Sequence, residues 1–96
     1  MLHTVNRSPY ASNMLTLCLR YAPPKSAILL MEDAVIAGIE GGFWLEALVS
    51  CDHCIYLLQE DVIARGLAKK ISSHMNLIDI NGFVSLTEQH NQHIKW

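Results

Sequence analysis

The stretch that decides the fold is residues 26–31, which read SAILLM and form the longest apolar run in a chain of 96 residues. A continuous apolar run of this length is typical of a strand that is covered on both faces in a parallel sheet. Glu32 and Asp33 follow directly and end the strand. The run is far too short for the roughly 20 residues of a membrane-spanning helix. It therefore predicts a buried central strand, and no membrane segment.

Strands and helices are predicted to alternate on both sides of this run. We expect further strands at residues 1–5, 53–58 and 77–80. Pro9 suits the first position of a helix, with Ser8 or Ser12 as its cap, and Pro23 and Pro24 end that helix near Tyr21. Asp33 can cap a helical stretch at 34–37, and helices are also expected at 43–49, 62–66 and 83–90, the last after a turn at Asn81-Gly82. This order predicts a small, doubly wound, mostly parallel α/β sheet of four to five strands with helices on both faces.

The composition indicates a partner-dependent protein. Hydrophobic residues make up 51% of the chain and Asp, Glu, Lys and Arg only 17%, against roughly 25% charged residues in typical domains. Since a domain this short buries only about 60–65% of its unfolded surface, apolar side chains remain outside the core, where they usually mark an interface. The net charge of −2 leaves no basic face for direct nucleic-acid binding. With no export signal, we expect one cytoplasmic domain spanning residues 1–96.

Cys18 is the best candidate for a reactive residue. An odd total of three cysteines favours reduced thiols over a disulfide framework. Cys18 shares a helical face with Leu15 and Leu19, which is the pattern of a small buried hydrophobe. However, only Thr16 and Arg20 are polar between residues 14 and 22, so this helix needs cover on a second side. We therefore expect a second subunit on this helix, with Cys18 at the subunit boundary.

A second thiol cluster reads Cys51-Asp52-His53-Cys54. A redox pair of this spacing normally opens a helix, whereas this one lies between a helix end and a strand. If the segment is extended, its two cysteine Cα atoms are roughly 10 Å apart, too far for a disulfide. A zinc site would need further ligands from His53 or a partner chain. A redox or metal role for the cluster therefore stays a secondary alternative.

Polar residues follow the ends of all four predicted strands, at 6–8, 32–33, 59–61 and 81–82. Because ligands gather beyond the carboxyl ends of parallel strands, these residues could line a polar pocket or a magnesium site. The alternative is structural: Asp33, Glu60 and Asp61 cap helices, with Arg7 paired to one of them. No glycine-rich phosphate loop, catalytic triad or paired-carboxylate site is present, so no cofactor is expected. His90 and His93 are interpreted as a surface pair on one helical face.

Several segments together resemble a known family. They are residues 2–5 (LHTV) with 7–9 (RSP), 29–30 (LL) with 32–33 (ED), 60–61 (ED) with 64–67 (ARGL), 78–79 (ID), 83–87 (FVSLT) and Trp96. In order and spacing they are similar to the TusB/DsrH family of sulfur-relay proteins, over almost the whole chain. The Cys51–Cys54 cluster is not part of this resemblance.

The resemblance implies a flavodoxin-like subunit in a dimer of heterotrimers with TusC- and TusD-like subunits. In that relay a persulfide sulfur passes from TusA to a cysteine of the TusD-type subunit and on to TusE, for 2-thiolation of the tRNA wobble uridine by MnmA. The TusB-type subunit is mainly structural and non-catalytic or weakly catalytic. The alternative comes from DsrH-type members of sulfur oxidisers, whose first helix carries a cysteine in a Leu-x-x-Cys-Leu setting. Cys18 matches that setting, so it becomes the candidate persulfide carrier of dissimilatory sulfur oxidation.

A third hypothesis is a lone homodimeric domain that uses the Cys51–Cys54 cluster for a metal. The leading hypothesis remains the structural subunit of a TusBCD-type complex. Under that hypothesis we expect the isolated chain to self-associate through the apolar surface of its first helix.

Overall fold

A five-stranded, all-parallel sheet forms the centre of the computed structural model, which describes all 96 residues. Its strands are β1 (Leu2–Val5), β2 (Ala27–Leu30), β3 (Cys54–Leu58), β4 (Asn76–Ile78) and β5 (His93–Lys95), in the spatial order β4-β3-β2-β1-β5. The predicted central strand is confirmed, since all four residues of β2 are buried and β2 pairs on both sides. The register sets Ala27 opposite Leu2 and Cys54.

Helices connect the strands. They are α1 (Met14–Tyr21), a 3-10 helix (Glu32–Gly38), α2 (Leu45–Ser50), α3 (Gln59–Ala64) and α4 (Ile80–Gln89). None of them is long and apolar enough to cross a membrane. Because strands alternate with helices around a parallel sheet, the predicted doubly wound α/β architecture with helices on both faces is confirmed.

Alternating strand residues divide the core between the two faces of the sheet. Ile28 and Leu57 belong to the larger cluster, together with buried residues of α1, the 3-10 helix, α2 and α3. Leu2 and Leu29 belong to the smaller cluster, to which α4 contributes Leu86. One face is thus covered by four helical segments and the other by α4 alone, because only the last crossover returns across the sheet to β5.

The last part of the chain differs from the prediction. Ile80 was expected in a strand and Asn81-Gly82 in a turn, but all three open α4. The helix starts there because the side chain of Asp79 accepts a hydrogen bond from the Gly82 backbone N–H at 2.9 Å. Glycine also permits close packing at this point, since a Cβ atom on Gly82 would lie 3.0 Å from Cβ of Ile78.

Other boundaries differ as well. Helix α1 begins at Met14, not at Pro9, because Ser8–Ser12 forms a turn in which the carbonyl of Ser8 accepts from two backbone N–H groups. Ser12 does act near the helix start, where its hydroxyl accepts a hydrogen bond from the Met14 N–H. The pattern of residues 93–95 (HIK) predicted no strand, yet they form β5, whose three side chains are all exposed.

Candidate functional site

The carboxyl ends of β1, β2 and β3 meet at one edge of the sheet, which we call the carboxyl rim and which comprises residues 6–12, 32–33, 59–61 and 65. An open cleft of about 350 Å³ lies there, between the loop that leads to α1 and the start of the 3-10 helix. Its lining residues are Asn6, Arg7, Ser8, Ala11, Ser12, Glu32 and Asp33. The expectation that strand ends bring these polar residues together is confirmed for β1 and β2.

Two of the four acids at the carboxyl rim, Glu60 and Asp61, support the backbone. Asp61 accepts a hydrogen bond from the Glu32 backbone N–H at 2.6 Å, and Glu60 accepts one from the Ile80 N–H at 3.0 Å. Each carboxylate therefore caps the first turn of the neighbouring helical segment instead of its own. This arrangement places negative charge where unpaired N–H groups need an acceptor.

Arg65, not Arg7, is the cation that pairs with these acids. Its Nε and Nη2 atoms each lie 3.0 Å from Oδ1 of Asp33, and Nη1 lies 3.7 Å from Oδ1 of Asp61. The predicted pairing of Arg7 is wrong, because the adjacent ends of β2 and β3 bring α3 beside the 3-10 helix. Asp33 does not cap its own helix either, since Met31 holds the cap position and makes no side-chain cap bond. The acids of the carboxyl rim thus form a structural network.

Glu32 occupies an unusual backbone conformation at this network, with φ of +51°. Residues other than glycine rarely adopt positive φ, because their Cβ atom crowds the backbone there. The hydrogen bond to Asp61 holds the residue in that conformation. The bend turns the chain from β2 directly into the 3-10 helix.

The Cys18 thiol is enclosed by the core. Its side chain has 0% exposure and packs in the larger cluster with Leu15 and Ile28. Burial, with a smaller contribution from Cys51, raises the pKa of Cys18 to about 12. At pH 7 only about one such thiol in 10⁵ is ionised, and the thiolate is the nucleophile. The expectation that Cys18 lies at a subunit boundary is wrong, because the residue faces the sheet.

The two remaining thiols, those of Cys51 and Cys54, lie in different surroundings. Cys51 follows α2, is half-buried, and donates its S–H towards the carbonyl of Leu48 at 3.2 Å. Cys54 begins β3 and is exposed, and all three cysteines are free. No group of three or more His, Cys, Asp or Glu side chains is arranged to hold a metal ion. The Cys51–Cys54 segment therefore does not assemble a metal-binding set within this chain.

The two histidines near the carboxyl terminus are separated by the chain's turn into β5. His90 directly follows α4, and its Nδ1 lies 3.2 Å from the amino terminus. His93 begins β5, where its Nε2 lies 3.2 Å from the hydroxyl of Thr4. The prediction of a common helical face is wrong, since only one of them is next to a helix.

Sequence reasoning missed a polar contact between buried His3 and half-buried Trp96. His3 is 1% exposed in β1, and its Nδ1 accepts a hydrogen bond from Nε1 of Trp96 at 3.0 Å. The partners are 93 residues apart, so no local pattern signals the contact. Only the parallel pairing of β5 with β1 brings them together.

Fold and site together define a small, doubly wound α/β domain whose carboxyl rim is held by structural hydrogen bonds and whose helix cysteine fills core space. The chain belongs to the TusB/DsrH family. The model of that family described as "DsrH like protein" matches residues 7–93.

Curated relatives match from end to end. The chain is 43% identical to Protein TusB of Photorhabdus laumondii and 41% identical to Protein TusB of Escherichia coli K12, in each case over 96 residues and 100% of both chains. Among solved structures, the YchN protein of E. coli aligns with a TM-score of 0.77 at 21% identity, covering 99% of this chain and 97% of that one. Protein Tm0979 of Thermotoga maritima aligns with a TM-score of 0.68 at 20% identity, covering 96% and 97%. These two structures support the fold alone.

Proposed function

We propose that this chain is a mainly structural subunit of a TusBCD-type sulfur-relay complex that supports 2-thiolation of the tRNA wobble uridine in the cytoplasm. The end-to-end similarity to proteins named TusB supports the assignment to this relay. The observation that carries the structural role is the position of Cys18. A thiol with no exposed surface and a pKa of about 12 is poorly suited to accept sulfur from another protein.

The proposed partners are TusC- and TusD-like subunits in a dimer of heterotrimers, with TusA and TusE acting on the complex and no direct contact between this chain and tRNA. Exposed apolar side chains support a partner-dependent role. Tyr10 is 59% exposed, Tyr21 65% and Phe43 82%. Surface of this kind on a small protein is typically buried by a partner.

Helix α1 is the part of the chain where the proposed subunit interface is best supported. Leu15 and Cys18 face the sheet, Leu17 is half-buried, and Tyr21 leaves most of its ring in solvent. Leu17 and Tyr21 are four residues apart and so lie on the same side of the helix. When no partner is present, we propose that two copies of the chain associate through this side.

Co-expression with TusC- and TusD-like chains tests the proposal. We expect the three chains to co-purify, and Tyr21→Ser to weaken their association about tenfold or more, as expected when a large aromatic is removed from an interface. Ile63→Ser is the matched control, since Ile63 is 57% exposed on α3, away from α1. Failure of the unmodified chain to co-purify with the other two would contradict the assignment.

The alternative is a DsrH-type subunit that carries persulfide sulfur on Cys18 during sulfur oxidation. It requires α1 to lift from the sheet so that the thiol can meet a donor. Mass spectrometry after exposure to a persulfide donor separates the two hypotheses. The structural role predicts an unmodified Cys18, whereas a stoichiometric 32 Da adduct (about the mass of one sulfur atom) that disappears in Cys18→Ala would support the carrier.

A further inference from the structure

The contact between His3 and Trp96 joins the two ends of the chain inside the protein. Indole Nε1 is a hydrogen-bond donor only, so Nδ1 of His3 must be unprotonated to accept its hydrogen at 3.0 Å. The neutral ring then carries its proton on Nε2. This Nε2 atom is buried and has no hydrogen-bond partner.

This geometry admits one protonation state. A second proton would go to Nδ1, where an N–H group would face the N–H of Trp96. It would also place a full charge on a side chain that is 1% exposed. Both effects oppose protonation of His3 while its contact with Trp96 is formed, because buried charges without a partner are costly.

The groups around His3 add to this opposition. Desolvation is the main cause that lowers the pKa of His3, followed by the positive amino terminus, His53 and His93. None of these groups is an acid. On α1, which packs over the same face of β1, Cys18 is buried and its pKa of about 12 keeps it neutral, while Arg20 and Tyr21 are exposed. β5 itself carries two titratable side chains, His93 and the cation Lys95, and no acid.

Trp96, just beyond β5, also packs against the larger core cluster, but β5 itself is a short edge strand. It is three residues long, all three side chains are exposed, and β1 is its only strand partner. Backbone bonds join the ends of the pairing, from the Leu2 N–H to the carbonyl of Gln92 at 3.0 Å and from the Trp96 N–H to the carbonyl of Thr4 at 2.9 Å. The contact between His93 and Thr4 lies on the opposite face of the sheet from His3.

We propose that His3 and Trp96 form a latch that holds β5 on the sheet while His3 is neutral and releases β5 when His3 takes up a proton. Release leaves β2 as the only partner of β1, so the fully buried strand β1 becomes an open edge. Such an edge exposes a row of unpaired backbone groups that can pair with another chain. The rest of the sheet keeps its pairing.

Amide hydrogen exchange by NMR on the full chain tests the latch. Between pH 7.5 and pH 5.0, after correction for intrinsic exchange rates, we expect the amides of Leu2 and Trp96 to exchange at least about tenfold faster at the lower pH. The amides of Met31 and Cys54 bond to Val5 and Ser26 within the β1-β2-β3 sheet, so their protection should not change. Equal acceleration at all four amides, or no acceleration at any, would overturn the proposal.

Nitrogen-15 shifts of the His3 ring give a direct readout in the unmodified chain. At pH 7.5 we expect an unprotonated Nδ1 and a protonated Nε2. The reverse tautomer would overturn the latch.

Two variants separate the histidines of this region. His3→Gln cannot gain a charge, so the exchange of Leu2 and Trp96 should no longer depend on pH after the same correction. His93→Gln is the matched control and should keep the pH dependence. A dependence that survives in His3→Gln but disappears in His93→Gln would assign the release to His93 instead. If His3→Gln does not fold, the ring shifts and amide exchange of the unmodified chain still decide the question.

Discussion

The carboxylate of Asp61, at the start of α3, accepts a hydrogen bond from the backbone N–H of Glu32 at 2.6 Å. The bond joins two consecutive crossover connections at the point where β2 and β3 leave the sheet. Asp61 is 29 residues further along the chain than Glu32. Together with the ion pair between Arg65 and Asp33, this bond fixes how the 3-10 helix and α3 meet at the carboxyl rim.

Removing that acceptor is expected to destabilise the fold. Asp61→Ala leaves the Glu32 N–H without its partner, and we expect the free energy of unfolding to fall by about 1–2 kcal/mol in urea titrations. Asp61→Asn keeps an acceptor oxygen and should lose less. Glu88→Ala changes an exposed acid of α4 and should alter the unfolding midpoint little. Equal effects of Asp61→Ala and Glu88→Ala would show that the bond contributes nothing.

The positive φ of Glu32 leads to an opposite prediction. Glycine adopts φ near +51° without a Cβ clash, and Glu32→Gly retains the N–H that Asp61 binds. We expect a gain of about 0.5–1 kcal/mol in unfolding free energy. Glu46→Gly, in the first turn of α2, should instead lose up to about 1 kcal/mol. A loss at both positions would contradict the strained conformation of Glu32.

Much of the fold can be predicted from the sequence because β2 and β3 are continuous apolar runs. β2 is buried along its whole length, and such a run indicates a two-sided parallel strand without further information. β5 offers no such signal, since its residues are exposed and its pairing depends on α4 returning the chain to β1. The same limit applies at the carboxyl rim. The sequence shows the acids that follow β2 and β3, but which cation meets Asp33 depends on the strand order.

Thiol reactivity should follow burial. We expect iodoacetamide at pH 8 to label exposed Cys54 first and half-buried Cys51 more slowly. It should reach Cys18 only after unfolding, because a buried thiol with a pKa of about 12 is hardly ionised. Peptide mapping by mass spectrometry measures the three rates. Labelling of Cys18 in the folded chain at a rate similar to that of Cys54 would mean that α1 opens readily.

Replacing Cys18 should destabilise the fold more when the new side chain is polar than when it is apolar. Cys18→Ser places a hydroxyl in the apolar cluster and is expected to cost about 1–3 kcal/mol, with a smaller cost for Cys18→Ala. Cys54→Ser, at an exposed position, is the control and should be near neutral. Thermal or urea unfolding measures all three. A neutral Cys18→Ser would contradict the enclosed position of the thiol.

Stability should also depend on pH through His3. Burial lowers the pKa of His3 below its usual 6.5 in the folded chain, so the unfolded chain binds the proton first as the pH falls. This contribution to stability is fully present above pH 6.5 and is lost as the pH falls below that value, by at most about 1.4 kcal/mol per pH unit. The unfolding free energy of His3→Gln should show a smaller decrease over the same range. An identical decrease in both proteins would remove His3 as its source.

The most direct test of the central claim is the 2-thiouridine content of tRNA from a bacterial strain that lacks its own TusB and is complemented with this chain. If the chain is a structural subunit of the relay, the wild-type sequence and Cys18→Ala should restore 2-thiouridine equally, and an empty vector should not. Loss of restoration in Cys18→Ala, with the variant present at normal levels and assembled with the TusC- and TusD-like subunits, would show that Cys18 carries sulfur. A wild-type chain that is present and assembled but restores no more than the empty vector would contradict the assignment to tRNA thiolation itself.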